Sequence, residues 1–274
     1  MPSLSIDQNK IKQLFQTQRY VILNSTFQEE LLSNIKKVCD QIINCAEFNR
    51  NDLFSNYYLK HRPDHSVLYD SYQRFCEFAD LARSKELVEI ITSIYSPNFY
   101  VYENSLVYKS KGKANAVPWH QDFINRPNEP TKVIAWIAID NITEENGCMY
   151  AIPGSHKLGF LPWFTVKGET HHTRVDMSKV DESKAVPLEM KAGDVLIFHQ
   201  LLLHSSREVH TDLPRRAYRI SYQNFEQSFT PRGTPIVISL SDKDVLKKAY
   251  NYETKRNNLL RQGIRKIGKI LVNF

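Results

Sequence analysis

Glycine is scarce, nine residues in 274. That excludes collagen-like segments and argues against flexible linkers. No internal period recurs. No apolar run approaches the roughly 20 residues that cross a membrane. The opening Met-Pro-Ser-Leu-Ser-Ile-Asp lacks the basic-then-apolar pattern of a secretory leader. The four cysteines, Cys39, Cys45, Cys76 and Cys148, show no C-x-x-C spacing and read as reduced, mostly buried thiols. There is no G-x-S-x-G elbow, and Ser155 and His156 are chain neighbours that cannot serve as nucleophile and base in the usual geometry. These absences predict a soluble, cytoplasmic protein that is not a Ser-His-Asp hydrolase.

What is present is enough for a core. Hydrophobic residues make up 42% of the chain and aromatics 11%, too many for a disordered chain. The length suits one domain over 1–274. The formal net charge is +6 and the pI about 9.0. That balance suits a small-molecule substrate that is anionic or carrier-linked, and it is too modest for nucleic-acid binding. The basic clusters Lys109 to Lys113 and Arg261 to Lys269 read as solvated faces. A monomer or weak homo-oligomer with no membrane partner is expected.

The first third reads as helical. Ser5-Ile6-Asp7 caps a helix to about Gln18, Tyr20–Leu23 is a short strand, and Phe27–Asn44 is an amphipathic helix. Arg50–Pro63 reads as loop, and Pro63 breaks any helical pairing of His61 with His65. Val67–Ala82 and Ser84–Tyr95 are expected as two further helices, the second capped by Ser84. From Phe99 onward β-branched and aromatic residues dominate. Strands are predicted at 99–108, 117–121, 132–139, 148–152, 186–190, 194–198, 201–204 and 216–225. Helices followed by many short strands predict a mainly β jelly roll (cupin-like) core over about 98–225, with helices packed outside. Residues 159–181, with Trp163, Phe164, His171 and His172, interrupt that pattern and suit a lid or binding loop. Adjacent residues on a strand point to opposite faces, so His171 and His172 do not both reach one metal. Leu240–Phe274 returns to helix, read as a docked terminal helix with a basic outer face.

The stretch that carries chemistry is Trp119-His120-Gln121-Asp122-Phe123. If it is extended, His120 and Asp122 point the same way. An imidazole and a carboxylate suit two ligands of one metal and leave it under-coordinated. A second histidine would complete the 2-His-1-carboxylate arrangement of non-haem Fe(II), which keeps positions open for substrate and oxygen. His204, ending an apolar run after the buried strand Val195–Phe198, is best placed, with His199 as its competitor. Arg215 opens a further strand, and a guanidinium matches a carboxylate with two parallel N–H groups. Such a metal beside an inward arginine suits a dicarboxylate shaped like 2-oxoglutarate. Were Arg216 the inward residue, the register would be shifted by one.

His120-x-Asp122, Asn146-Gly147-Cys148, Ile152-Pro153-Gly154-Ser155-His156-Lys157, Gly193-Asp194, and His204-x-Ser206 followed by Arg215-Arg216-Ala217 fall in one order. In that order they resemble the phytanoyl-CoA dioxygenase family of Fe(II)/2-oxoglutarate oxygenases, over roughly Tyr20 to Phe225. The resemblance implies a double-stranded β-helix. It implies Fe(II) held by His120, Asp122 and His204, with 2-oxoglutarate and O2 as co-substrates. Arg215 would bind the far carboxylate of 2-oxoglutarate, and Trp136 and Ser206 would line its pocket. His156 falls in a structural turn outside the site. Arg207-Glu208-Val209 stands where the family often carries an asparagine after the distal histidine.

The implied reaction hydroxylates an unactivated C–H bond of a small organic substrate and converts 2-oxoglutarate to succinate, as in specialised-metabolite tailoring. Asp122, where a halogenase would carry Gly or Ala, favours hydroxylation. An acyl-CoA or carrier-linked acyl substrate is the alternative. Gln121, Phe123, Tyr102 and Tyr108 are the expected substrate-pocket residues. Two other classes stay open: a non-catalytic jelly-roll binding module, and a zinc hydrolase, since His and carboxylate also bind zinc.

Overall fold

The computed structural model describes residues 8–48, 51–52, 66–109, 116–166, 173–225, 236–242, 244–245 and 247. His61, His65, His171, His172, residues 110–113 and the expected helix at 255–271 lie outside them.

Helix α1 (Gln8–Gln18) buries Ile11 and Phe15. Helix α2 (Glu29–Phe48) buries Leu32, Ile35, Cys39, Ile42 and Ala46, an apolar stripe of helical period. The sequence places its start at Phe27, but Phe27 is spent before the helix begins. Its N–H donates to the Gly193 carbonyl at 3.0 Å, and its side chain is buried. The contact requires glycine. Gly193 has φ +91, and a Cβ there would stand 2.2 Å from the Phe27 carbonyl oxygen.

Residues 67–82 are not the single helix that their pattern predicts. Val67–Tyr69 forms strand β2, antiparallel to β3 (Phe99–Lys109). Asp70, at φ +60, ends it. Two short helices follow, α3 (Ser71–Arg74) and α4 (Cys76–Ala82), separated by extended Phe75. The available edge of β3 claims residues that local periodicity assigns to helix. Helix α5 (Lys85–Ile94) has the expected cap, with Leu87 N–H donating to Ser84 Oγ.

The remaining strands are β1 (Tyr20–Leu23), β4 (Val117–His120), β5 (Lys132–Ala138), β6 (Met149–Ala151), β7 (Trp163–Phe164), β8 (Arg174–Val175), β9 (Val186–Leu188), β10 (Val195–His199), β11 (His204–Ser206), β12 (Arg215–Asn224) and β13 (Ile236–Ser239). Among the described residues they build two main antiparallel sheets. The larger runs β1-β10-β5-β12-β3-β13, with β2 also on β3, and the smaller runs β4-β11-β6-β9. Leu201–Leu203, expected as strand, is a turn, and β11 begins at His204. Within 159–181, β7 and β8 pair as a small hairpin.

Alternation along the central strands separates two cores. Val133, Ala135, Ile137, Val195, Ile197, Tyr218, Ile220 and Tyr222 pack with the helices. Ile134, Trp136, Leu196, Phe198 and Ala217 face the smaller sheet. This is the predicted mainly β jelly roll with flanking helices, and its functional space lies between the sheets. Cys45 and Cys76 are exposed, which corrects the expectation of mostly buried thiols, while Cys39 and Cys148 are buried. No helix among the described residues is long and apolar enough to cross a membrane.

Candidate active site

Strands β4 and β11 bring two histidines together. His120 and His204 are register partners on these antiparallel strands, with ring centroids 4.1 Å apart. Asp122 does not lie on the strand that its spacing predicts. β4 stops at His120, and the chain turns through Asp122 to Phe123, which has φ +54. The Asp122 N–H donates to the Gln200 carbonyl at 3.0 Å, tying the turn to the segment before β11. The turn returns the carboxylate to within 4.0 Å of His120 Nε2. One ligand-capable atom from each of His120, Asp122 and His204 then lies within 4.8 Å of the others. His199 continues the Val195 and Ile197 face of β10, toward the helices, and is no part of this cluster.

The imidazoles are oriented by backbone. His120 Nδ1 bonds the Pro118 carbonyl at 2.9 Å, and His204 Nδ1 bonds the Leu202 carbonyl at 2.9 Å. A carbonyl only accepts, so each Nδ1 carries the proton. In the neutral ring, that leaves the Nε2 lone pair free for a metal. Burial lowers the pKa of His204 and so favours the neutral form. Burial alone would raise that of Asp122, but the Arg219 guanidinium and the two imidazoles hold it well below the usual carboxylate range. Arg219 Nη2 lies 3.0 Å from Asp122 Oδ2, a close ion pair, while Oδ1 is the oxygen nearer His120. Two imidazole nitrogens and a carboxylate thus converge on one point. That donor set fits a divalent metal.

The cluster opens on a cavity of about 240 Å³ between the sheets. Trp136, Ser206 and Arg215 line it at the start of β12, and Phe123, Glu103 and Arg219 line it further along that strand. Arg215 is 2% exposed. Among the described residues its Nε has no hydrogen-bond partner, its guanidinium lies 4.6 Å over the Trp136 ring, and burial lowers its pKa to about 10. Arg216 points the other way, to Asp140 and Asp40.

Several expected residues fall elsewhere. Gln121 is outside the cavity lining. Its Nε2 donates to the Gly159 and Leu201 carbonyls, both at 2.9 Å, and its Oε1 accepts from Leu161 N–H. It clamps the 159–161 segment instead. Tyr102 stands behind Phe123, edge-on at 5.3 Å, with its hydroxyl donating to Glu129. Tyr108 borders the cavity but packs into the helix-side core. The sequence reading missed Lys109, taken for a solvated face. It is buried, lines the cavity, and donates from Nζ to Ser206 Oγ at 2.9 Å and to the Arg207 carbonyl at 2.6 Å. It also missed Arg219 and Glu103. Arg219 was findable, because it lies four residues from Arg215 on one strand and so on the same face.

Residues 15–217 match the model of the phytanoyl-CoA dioxygenase (PhyH) family. The chain belongs to that family. Membership places it among the non-haem iron, 2-oxoglutarate-dependent oxygenases. A phytanoyl-CoA dioxygenase of Arabidopsis thaliana is 26% identical over 242 residues, spanning 75% of this chain and 85% of the relative. The human peroxisomal phytanoyl-CoA dioxygenase is 33% identical over 156 residues, 53% of this chain and 46% of its own length. The chain therefore spans less than half of the human relative. The solved structure of ThoJ, a non-heme monooxygenase without ligand, superposes with TM-score 0.68 over 93% of this chain and 99% of its own. At 16% identity that likeness shows a shared fold.

Proposed function

We propose that this PhyH-family chain works as one Fe(II)/2-oxoglutarate-dependent dioxygenase domain that hydroxylates an unactivated C–H bond of a small organic substrate, releasing succinate. One observation carries the reading. The His120–Asp122–His204 cluster and a buried Arg215 with no carboxylate partner among the described residues share a single cavity. His120, Asp122 and His204 would hold the iron, which when bound with 2-oxoglutarate supplies the oxidising power to attack a C–H bond.

The chain's own residues do the rest. The Pro118 and Leu202 carbonyls fix the two imidazoles, so their Nε2 atoms need no reorganisation to bind. Arg215 offers paired N–H groups to the far carboxylate of 2-oxoglutarate, with its guanidinium packed against the Trp136 ring. Lys109 holds Ser206 Oγ beside it and adds a second positive charge at that end. Phe198, Met149 and Val117 line the same cavity and exclude water from it.

Glu103 and Arg219 make the other end charged. A small, polar metabolite fits that lining better than a long acyl chain, which supports a tailoring hydroxylase. The names of the curated relatives favour an acyl-CoA substrate as the second reading.

The deciding experiment is anaerobic titration of Fe(II)-loaded protein with 2-oxoglutarate, followed by its weak visible charge-transfer band. The band should appear with the native protein and vanish in Asp122→Ala. No band in the native protein removes the oxygenase reading and leaves a binding module. A succinate-release screen across small metabolites and acyl-CoA esters then separates the two substrate classes.

A further inference from the structure

We propose that Glu103 and Arg219 are a positioning pair that commits one oxygen of Asp122 and leaves the other for the metal, an inference that rests on Asp122 as a metal ligand. Arg219 Nη2 lies 3.0 Å from Asp122 Oδ2, and Arg219 Nη1 lies 3.0 Å from Glu103 Oε1. The guanidinium also lies 5.3 Å from the Phe123 ring centroid. It is held on three sides, at 15% exposure of its side chain. A fixed guanidinium beside a fixed carboxylate sets the carboxylate's rotation.

The backbone explains how Glu103 reaches this place. The pairing of β12 with β3 runs Ser221 to Glu103 and then Tyr222 to Val101, so β3 carries Tyr102 as an extra residue. Up to that bulge, alternation puts Glu103, Ser105 and Val107 on the cavity face. Arg219 faces Ser105, so Glu103 is its diagonal cross-strand neighbour. The bulge sits one residue beyond Glu103.

The charges explain why two residues are needed. Arg219 alone would place an uncompensated cation next to a dication. Glu103 supplies the counter-charge, so the pair orients Asp122 without adding net charge. Without Arg219, both carboxylate oxygens are free to turn toward one metal. A second Asp122 oxygen would then occupy a position that the co-substrate needs.

The test uses the full chain, loaded anaerobically with Fe(II) or with Co(II). Arg219→Met should weaken 2-oxoglutarate, read from the charge-transfer band, on the order of 10- to 100-fold, with metal content unchanged. Its Co(II) protein should show an altered visible spectrum before any 2-oxoglutarate is added. Glu103→Gln should move both readouts the same way but less, and Arg219→Lys should recover part of the loss. Thermal melts of the metal-free proteins control for folding. If Arg219→Met does not fold, Glu103→Gln decides. Affinity within twofold of native and an unchanged Co(II) spectrum would overturn the pair. A native protein with no band would sink the oxygenase reading instead.

Discussion

Arg215 and Arg216 are neighbours on β12, both almost fully buried, and they are treated in opposite ways. Arg216 faces the helices. Its Nε and Nη2 donate to the two oxygens of Asp140 at 2.8 and 2.7 Å, and its Nη1 reaches Asp40 on α2. Every feature of that contact ties the large sheet to a helix. Arg215 faces the cavity, has no carboxylate partner among the described residues, and rests on Trp136. An unpaired buried charge costs several kcal/mol, which an anionic ligand would offset. One buried arginine completes the structure, and the other, on the proposed reading, meets the co-substrate carboxylate.

Single substitutions should pull the two apart. The larger effect belongs to Arg216→Met, which strands Asp140 in a buried position. Breaking a buried pair in this way costs about 3–5 kcal/mol, measured as the shift in chemical denaturation of the metal-free protein. A loss under about 1 kcal/mol would mean that Asp140 finds water or another donor. Arg215→Met should do the reverse. Burial depresses its pKa to about 10, so at neutral pH its charged form opposes folding. The variant should melt at the same temperature or higher. It should also lose about 2–4 kcal/mol of 2-oxoglutarate affinity, roughly 30- to 1000-fold. If Arg216→Met loses co-substrate affinity while Arg215→Met keeps it, the faces have been assigned backwards.

The same pair shows what the sequence could tell. Alternation on a strand states that Arg215 and Arg216 face opposite ways, but not which face is the cavity. That required the partner strands, with Trp136 opposite Arg219 on β5 and Lys109 opposite Arg215 on β3. The jelly roll was legible because many short β-branched strands follow a helical start. The cluster of His120, Asp122 and His204 was legible because His-x-Asp and a later histidine closing an apolar run are local patterns, although His204 opens a strand instead of ending one. The route by which Asp122 arrives was not legible, since its N–H is held by the carbonyl of Gln200, a residue distant in the chain that the tripeptide does not announce. Val67–Tyr69 was misread for a related reason. A strand that short is decided by the edge it meets, not by its own propensity. Glu103 was missed because the aromatic Tyr102 and Tyr108 point a sequence reader to the other face of β3, whereas alternation before the bulge puts Glu103, Ser105 and Val107 on the cavity side.

The contrast between faces extends to the histidines, and there the expected effect is smallest. His204 belongs to the cavity, whereas His199, on the helix side, accepts from Leu201 N–H through Nδ1 at 3.2 Å. Burial, then the charges of Arg19 and His156, push the pKa of His199 down to about 3. Burial and Arg19 push that of His156 down to about 4. Both are neutral in the folded protein and titrate near pH 6.5 when unfolded. Below that pH the unfolded chain takes up protons that the folded chain refuses. The stability held by neutral imidazoles is therefore complete above about pH 6.5 and is lost as pH falls toward 4 and then 3. Urea midpoints of the metal-free protein at pH 7 and pH 5 should show this loss. His199→Asn retains a side-chain acceptor without a titrating group, so its midpoint should fall less between the two pH values. An equal fall in native and variant would remove His199 as a source of the acid sensitivity.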